Sequence, residues 1–411
     1  MLKDLVKNLK PSSTLMINET SKQMEDQGKK IFKFGFGQSP FKVPQDVVEE
    51  LKNNAYQNKY LPMQGLSELR KAVSKYTSQK KNYEYKSDNV IIGPGSKELM
   101  FLLHVIFDGE IILPAPSWVS YAPQAILGRN KIQILQTKRE NNWFPTGQQI
   151  EKIIIKDKKK NYLLFLNSPN NPSGQVCERL DEISKIAKKY KLLILSDEIY
   201  TDLTFCNKYE SISKFYPEGT FISGGLSKWC GAGGWRLGFF AVPNKLSHFL
   251  GSIKTLASES YSTVNTPTQF AAVEAYEGNY DEYKKKVKGI LNAIGIYAAI
   301  LKARGQPLVY PGGPAAVTEA VDADLLAQAI QFSFDNPSFD GETFNITNGD
   351  VFRWQDIWHE LSNIFDMQGE TKSPQRLSDW IYDCEAEWQN IIEANSLRPY
   401  SIRELAGDSF F

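Results

Sequence analysis

Short apolar runs alternate with helical patterns along the first two thirds of the chain. Seven runs between residues 89 and 242 are rich in Val, Ile, Leu and Phe, and each has the length of one strand. They lie at 89–93, 110–114, 131–135, 162–167, 191–197, 220–225 and 234–242. Apolar strands separated by helices predict an α/β fold with a mainly parallel, seven-stranded sheet and helices on both faces. Ligands of such sheets bind beyond the carboxyl ends of the strands, so chemistry is expected there.

Helical patterns precede the first strand and fill the gaps between strands. A helix that follows Pro44 has Val47, Val48 and Leu51 on one face. Residues 31–37 predict a short strand that ends in a glycine turn. The further predicted helices cover 20–30, 67–80, 97–107 and 178–190.

Composition places the chain among globular proteins. It has 411 residues, 42% of them apolar and 23% charged, which predicts two or three domains with hydrophobic cores. The formal net charge of +1 gives no general reason to expect a nucleic acid or a membrane surface as partner. No apolar run reaches the roughly 18 residues of a membrane span. Charges interrupt the apolar residues at the start of the chain, unlike in a secretory signal.

Cysteine and histidine are few and widely spaced. The four cysteines are Cys177, Cys206, Cys230 and Cys384. They form no C-x-x-C pair, which favours reduced thiols in a cytoplasmic protein over disulfides or a zinc site. Three histidines lie far apart, so we expect neither a bound metal nor a histidine-based catalytic triad.

Charge divides the chain near residue 290. Residues 1–290 carry 41 basic and 29 acidic side chains, a balance of +12, whereas residues 291–411 carry 7 and 18, a balance of −11. Of the lysines, 36 precede residue 291, and only Lys302 and Lys372 follow it. Charge asymmetry alone is common between domains. So abrupt a change in lysine usage indicates two segments of different origin.

Four polar features follow predicted strands or lead out of them. They are NSPNNPSG (167–174), DEIY (197–200), SGGLSKWCGAGGWRLG (223–238) and GPGSKE (93–98). A lysine amine such as that of Lys228 forms a Schiff base with a carbonyl. A strand-end carboxylate such as Asp197 can hold a pyridine nitrogen protonated. The fork of Arg236 and the amides at the start of helix 97–107 suit a phosphate. Together they predict a site for an aromatic, phosphorylated aldehyde.

In these motifs the chain resembles a known family. Residues 1 to about 288 are similar to the class I pyridoxal-phosphate (PLP) aminotransferases of fold type I. The family patterns N-[SP]-P-x-N-P-[ST]-G, D-E-x-Y and S-K-(x)-GWRLG occur here in the family order. The resemblance implies PLP as cofactor, an amino acid and a 2-oxo acid as substrates, and a homodimer. It implies neither a nucleic acid nor a membrane as partner.

The resemblance also implies roles for single residues. Lys228 would be the Schiff-base lysine and proton shuttle, and Asp197 would pair with the pyridine nitrogen. Tyr200 and Asn171 would hydrogen-bond to the phenolic oxygen of the ring. The phosphate would be held by Arg236, Gly95, Ser96, Lys97 and Ser227, with Ser96 and Lys97 acting largely through backbone amides. Gly225 departs from the pattern, because the family often has a phosphate-binding serine there.

Further roles concern the substrate and the partner subunit. Gly37 and Asn171 would contact the substrate, Gly37 through its amide. Trp118 would stack on the cofactor ring, although an aromatic residue there is also typical of plain core packing. Tyr60 would reach the phosphate of the partner subunit, and ordinary packing is its alternative.

The last segment resembles a different family. Residues 291–411, including FNITNGDVFRW, are similar to the C-terminal part of extended short-chain dehydrogenase/reductases of the progesterone 5β-reductase and iridoid-synthase group. The dinucleotide loop and the catalytic tyrosine and lysine of that family are absent, so no redox activity is implied. Its pattern predicts helices at 291–304 and 322–334 and from Trp354, with strands near 308–312 and at 342–347. Trp380, Tyr382 and Trp388 have helical spacing and indicate core packing.

The predicted organisation is therefore a chimera of three parts. Residues 1–35 would be an N-terminal arm and the start of a small domain, 36–288 the PLP-binding large domain, and 289–411 an α+β segment in place of the aminotransferase small domain. Class I aminotransferases supply an arginine near the C-terminus for the substrate carboxylate. Arg398 and Arg403 lie in surroundings that do not match, so we expect no arginine of 291–411 there. The alternative to an active aminotransferase is a PLP-binding, catalytically impaired fusion.

Overall fold

The structure is a computed structural model, and it divides into two compact units. It describes residues 7, 13–28, 39, 41–79, 83–204, 209–281, 283–284, 290–309, 318–319, 351–352, 358, 362–363, 365–370, 380–395 and 401–403. Among these residues, the first unit extends through Gly278 and the second begins at Asn279. The predicted strand at 31–37 and the predicted elements at 322–334 and 342–347 lie outside the described residues.

A seven-stranded sheet forms the centre of the first unit and confirms the prediction. Its strands are β1 (Val90–Gly93), β2 (Glu110–Ala115), β3 (Lys131–Gln136), β4 (Tyr162–Asn167), β5 (Leu193–Asp197), β6 (Thr220–Gly225) and β7 (Gly238–Ala241). Their order across the sheet is β1-β7-β6-β5-β4-β2-β3. Only β7 runs antiparallel to its neighbours, and the pairs from β6 to β3 are parallel. The predicted strand 234–242 is shorter because Gly233–Trp235 forms a tight helical turn and Arg236 is left-handed, with φ of 53°.

Helices cover both faces of this sheet. The helices described in the first unit are α1 (Ser13–Asp26), α2 (Gln45–Asn53), α3 (Ser67–Gln79), α4 (Ser96–Ile106), α5 (Tyr121–Leu127), α6 (Gly147–Ile154), α7 (Leu180–Tyr190), α8 (Ser247–Ser260) and α9 (Thr266–Glu277). One apolar cluster joins α4, α5 and α8 to Ile111, Leu163 and Leu195. A second joins α6 and α7 to Ile112 and Leu164. Successive strand residues enter opposite clusters, as the two-residue period of a strand requires.

Local sequence signals explain several helix ends. Helix α6 begins at a capping box, in which the Thr146 hydroxyl accepts from the Gln149 amide and the Gln149 side chain accepts from the Thr146 N–H. Helix α7 ends at Lys191, which is left-handed with φ of 53°. The predicted helices at 67–80, 97–107 and 178–190 are confirmed within two residues at either end. Helix α1 begins earlier than the predicted 20–30, since its polar sequence has no apolar stripe to mark its ends.

The second unit has a separate apolar core. Its described elements are α10 (Ile290–Ala303), β8 (Leu308–Val309), β9 (Thr318–Glu319), β10 (Val351–Phe352), β11 (Gly369–Glu370) and α11 (Glu385–Ala394). Strands β8 and β11 pair in parallel, and β9 and β10 antiparallel. The Trp358 indole donates to the Leu308 carbonyl over 2.8 Å. Trp388 is buried in this core, and Trp380 and Tyr382 pack against it, which confirms the predicted core role.

Among the described residues, no helix combines the length and the apolar character that a membrane crossing needs.

Candidate active site

The carboxyl ends of three central strands bring the candidate residues together. In the sheet register Asn167 at the end of β4 is opposite Asp197 at the end of β5, which is opposite Ser223 of β6. The Asn167 side-chain amide donates to the Asp197 carbonyl over 2.9 Å. The chain thus places Asp197 at the middle of this sheet edge, where parallel sheets bind their ligands.

Asp197 is a buried carboxylate with one oxygen unused. Asp197 is only 4% exposed, and its Oδ2 accepts a hydrogen bond from the Tyr121 hydroxyl over 2.6 Å. Oδ1 is buried and accepts no hydrogen bond in the described part of the chain. Burial raises the pKa of Asp197 to about 6, although hydrogen bonds from the Tyr121 hydroxyl and the Ile199 backbone N–H, and then the Lys228 charge, act in the opposite direction. An unsatisfied buried oxygen is costly, so it indicates a ligand with an N–H or O–H group.

Tyr121 is a site residue that sequence reasoning missed. It begins α5, is fully buried, and lies 76 residues before its partner Asp197. Its ring also packs against Trp118 at 5.3 Å and Phe165 at 5.1 Å between centroids. One sequence feature could have indicated Tyr121: it follows Trp118 by three residues in APSWVSY. At that spacing the two side chains lie beside one another once a turn forms.

Replacement of Tyr121 by phenylalanine is expected to raise the pKa of Asp197 above its value of about 6. The lost hydrogen bond stabilises the ionised carboxylate, and a bond to a charged acceptor contributes about 1.5–3 kcal/mol, or roughly one to two pKa units. Cofactor affinity measured at several pH values checks this. Relative to the unmodified protein, the variant should bind the cofactor about tenfold more weakly near pH 6, and the difference should be much smaller near pH 8.5. Tyr56→Phe, at an exposed tyrosine, is the control. An equal loss at both pH values would contradict the electrostatic role.

Tyr200 and Asn171 meet beside Asp197. The Asn171 side-chain amide donates to the Tyr200 hydroxyl over 3.3 Å, and the Asn171 backbone N–H donates to Asn167 Oδ1 over 2.7 Å. The loop from 167 to 174 contains cis peptide bonds before Pro169 and Pro172. Burial and the negative charge of Asp197 raise the pKa of Tyr200 to about 12, so its hydroxyl stays a hydrogen-bond donor at neutral pH.

Lys228 lies on the turn after β6, above the same edge. It is half-buried, as is Ser227, and its Nζ is 5.5 Å from the centroid of the Tyr200 ring. Burial, and then the charge of Arg236, lower the pKa of Lys228, while Asp197 raises it. A lysine with a lowered pKa has a larger fraction of neutral amine, which is the nucleophilic and basic form.

Arg236 and the start of α4 form a cradle for an anion. Gly95 has φ of 87°, and a Cβ there would lie 2.3 Å from Arg236 Nη2, so only glycine lets the guanidinium approach this backbone. Arg236 Nη1 donates to the Gly233 carbonyl over 2.9 Å, which anchors the fork. The free amides of Ser96 and Lys97 begin an eleven-residue helix. A guanidinium beside a helix N-terminus is a typical phosphate site.

The departure at position 225 has a steric reason in this structure. A Cβ on Gly225 would lie 2.8 Å from the Leu237 carbonyl oxygen and 3.0 Å from the Gly238 Cα. Both contacts are with backbone atoms, one in the residue before β7 and one in the first residue of β7. A serine would therefore require β6 and β7 to separate. The cradle therefore lacks a hydroxyl that this backbone has no room to carry.

The remaining predicted residues have different outcomes. Trp118 is half-buried and packs against the apolar core, and Lys97 Nζ lies 5.6 Å from its ring centroid. Tyr60 is 91% exposed, in a loop where the Thr266 hydroxyl donates to the Lys59 carbonyl over 2.9 Å. Gly37 lies outside the described residues. The roles predicted for Trp118, Tyr60 and Gly37 stay predictions.

Comparison with known proteins gives one consistent family. The family described as aminotransferase class I and II matches residues 29–326. An aspartate aminotransferase of Bacillus sp. (strain YM-2) is 34% identical over 325 residues, covering 76% of this chain and 81% of the relative. The aspartate aminotransferase of Bacillus subtilis (strain 168) is 31% identical, covering 75% and 80%. A solved structure, aspartate aminotransferase from Thermus thermophilus with maleate, has a TM-score of 0.66 and 26% identity over 74% of this chain and 81% of that one.

The residues of this sheet edge fit PLP. The unused Oδ1 of Asp197 is a match for the N–H of a protonated pyridine ring. The cradle of Gly95, Ser96 and Arg236 matches the phosphate, and the Lys228 amine lies 5.5 Å from the centroid of the Tyr200 ring. The fit agrees with the family match over residues 29–326. The chain therefore belongs to the class I and II aminotransferases, and it is a pyridoxal-phosphate-dependent aminotransferase.

Proposed function

We propose that this aminotransferase moves the amino group of an acidic amino acid, aspartate, to a 2-oxo acid, with Lys228 as its catalytic lysine. The observation that carries the proposal is the convergence of Lys228, Asp197 and the Arg236 cradle on one sheet edge. The aspartate aminotransferases at 31–34% identity and the structure with bound maleate, a dicarboxylate, support the acidic substrate.

The protein groups divide the work of holding the cofactor. Asp197 would accept from the ring nitrogen, and Tyr200 and Asn171 would hydrogen-bond to the phenolic oxygen. Arg236 and the amides of Ser96 and Lys97 would bind the phosphate, beside Gly95 and Ser227. Trp118 would cover one ring face. PLP itself supplies an aldehyde for the amine and an aromatic ring that accepts electron density.

Lys228 would take the α-proton of the substrate and return it to the product. Its lowered pKa favours the neutral amine that acts as a base. The carboxylate of Asp197 balances positive charge at the ring and so stabilises the charge that develops during proton removal. Tyr200 holds Lys228 near the face of its ring and would orient the amine.

A second lysine supports the acidic substrate. Lys97 uses its backbone amide at the cradle, whereas its ammonium group lies near the face of Trp118 and has no carboxylate within ion-pair distance among the described residues. Burial, and then the charge of Arg236, lower the pKa of Lys97, so the site disfavours its charge unless an anion binds. The side-chain carboxylate of aspartate would supply that anion.

Replacement of Lys97 by methionine is expected to lower kcat/KM for aspartate about 10- to 100-fold and to leave alanine as donor nearly unchanged. A charge-assisted hydrogen bond contributes about 1.5–3 kcal/mol, and each 1.4 kcal/mol is about tenfold. The measurement is a donor panel on the cofactor-loaded full chain, with the exposed Lys71→Met as control. Equal losses for both donors would assign Lys97 to cofactor binding alone. No turnover of any donor by the unmodified chain would instead favour the impaired fusion.

The assembly would be a homodimer with an unusual C-terminal segment. Tyr60, being 91% exposed, is free to reach the cofactor phosphate of a partner subunit. Residues 291–411 would replace the small domain and derive from a short-chain dehydrogenase/reductase. Their charge of −11 and their content of only two lysines support this, although the family match continues to residue 326. Arg403 lies 4.6 Å from the Tyr382 ring, and Arg398 lies outside the described residues.

The cysteines support a reducing compartment. Cys177, Cys230 and Cys384 are buried and form no disulfide in the described structure. Free thiols are typical of cytoplasmic proteins, which is the location we propose.

A further inference from the structure

A small cavity borders β6 from Ile222 to Gly225. Its volume is about 20 Å³, and its lining includes Thr77 from α3, Ser223 from β6 and Tyr276 from α9. Ile199, between Asp197 and Tyr200, and Trp229, next to Lys228, line the same space. The cavity therefore borders both segments that carry the candidate catalytic groups.

Three hydroxyl groups around this cavity are buried and unpaired. Thr77 is 1% exposed, Ser223 0% and Tyr276 8%. Neither Thr77 Oγ1, Ser223 Oγ nor Tyr276 Oη makes a hydrogen bond within the described part of the chain. Burial raises the pKa of Tyr276 well above its usual value, so its hydroxyl stays protonated and able to donate. Buried hydroxyls without partners are rare and unfavourable, and three around one cavity indicate a shared ligand.

We propose that this cavity binds one structural water molecule, held by the hydroxyls of Thr77, Ser223 and Tyr276. A cavity that holds one water needs an accessible volume of roughly 10–15 Å³ and two to four polar groups that bond to the water. The cavity volume of about 20 Å³ admits one molecule and excludes a larger ligand. A hydroxyl both donates and accepts, so Thr77, Ser223 and Tyr276 can satisfy one water together.

The water links three elements that do not hydrogen-bond to one another through these side chains. It connects helix α3 and helix α9 to strand β6, beside the turn that carries Lys228 and Trp229. Aromatic contacts already join α3 and α9 here, with the rings of Tyr76 and Tyr276 5.1 Å apart. The water adds the polar connection to β6 that the aromatic contacts lack.

The sign of a stability change tests the proposal. In the cofactor-loaded full chain, Thr77→Val and Tyr276→Phe should each lower Tm by about 1–3 °C, because each leaves the bound water with one partner fewer. If the cavity were dry, each substitution would remove an unpaired buried hydroxyl, and Tm would stay the same or rise. An unchanged or raised Tm in both variants would therefore overturn the proposal. The exposed Tyr56→Phe is the matched control and should leave Tm unchanged.

Coupling between two of the residues is the second test. Ser223→Ala and Tyr276→Phe should be non-additive when combined, because both act through the same water. Additive losses of Tm would contradict a shared ligand. A crystal structure provides the direct test: density for one water within about 2.7–3.2 Å of the three hydroxyls is expected. A cavity without density, or hydroxyls bonded directly to each other, would show the proposal to be wrong.

Discussion

Lys228→Ala is expected to lose covalent attachment of the cofactor and to reduce amino transfer by about 10⁴-fold or more. The amine is both the nucleophile toward the cofactor aldehyde and the base for the substrate α-proton, and general acid–base catalysis alone contributes about 10²–10⁴-fold. No other side chain of the site combines an amine with the position above Tyr200, 5.5 Å from its ring, within the described residues. The measurements are the visible absorbance band and cofactor retention after borohydride reduction and denaturation.

The controls for this variant separate the catalytic amine from the anion cradle. Lys228→Ala should still bind cofactor non-covalently, because Arg236 and the start of α4 are unchanged. Lys71→Ala, on the exposed face of α3, should behave as the unmodified protein. If borohydride still linked the cofactor to the Lys228→Ala chain, another lysine would be the attachment site. Lys97 would be the first to examine, since its pKa is also lowered.

Asp197→Ala should slow removal of the substrate α-proton by a factor of about 30 to 1,000. The carboxylate stabilises the protonated ring, and removal of one such electrostatic partner typically raises the barrier by about 2–4 kcal/mol. Single-turnover deamination with saturating cofactor measures this step without the loss of cofactor affinity. Asp197→Asn keeps the size of the side chain and should show a similar slowing. An unchanged single-turnover rate in both variants would remove Asp197 from the chemistry.

Asp197 should also leave a signature in the stability of the cofactor-free protein. Its pKa in the folded chain is raised from 3.8 to about 6, chiefly by burial. The folded state therefore holds this proton more tightly than the unfolded chain, and the group's contribution to the free energy of unfolding falls as the pH rises from about 4 to 6. Asp197→Ala should lose that dependence, so its stability relative to the unmodified protein improves above pH 6. Thermal melts of both proteins at pH 5 and pH 7.5 measure the difference.

Local patterns in the sequence were sufficient for the sheet and for most of the cofactor site. The inner strands β2 and β4 are apolar runs of six residues, because a strand buried on both faces needs apolar side chains at nearly every position. The chemical residues Lys228, Asp197 and Arg236 follow from motifs whose spacing is local. The family match over residues 29–326 and the PLP dependence agree with that reading.

Contacts between distant residues could not be obtained in this way. The hydrogen bond from Tyr121 to Asp197 joins residues 76 positions apart, and it depends on the start of α5 lying beside the end of β5. Likewise, the approach of Arg236 to Gly95 exists only because β7 pairs with β1 and turns the Arg236 fork toward α4. The spacing of apolar residues and the positions of turn residues indicate the structure of one segment at a time. They therefore carry no information about which strand ends become neighbours.

The sequence by itself determined the fold class, the cofactor and the residue types that hold it, because these follow from local periodicity and from motifs that are read in one dimension. Only the tertiary structure decided which groups are buried and which lack a partner. It showed the unused Oδ1 of Asp197, the absence of space for a side chain at Gly225, and the unpaired hydroxyls around the cavity that Trp229 borders. Burial and hydrogen-bond satisfaction are properties of the packed chain, since each depends on atoms contributed by segments that are remote in sequence.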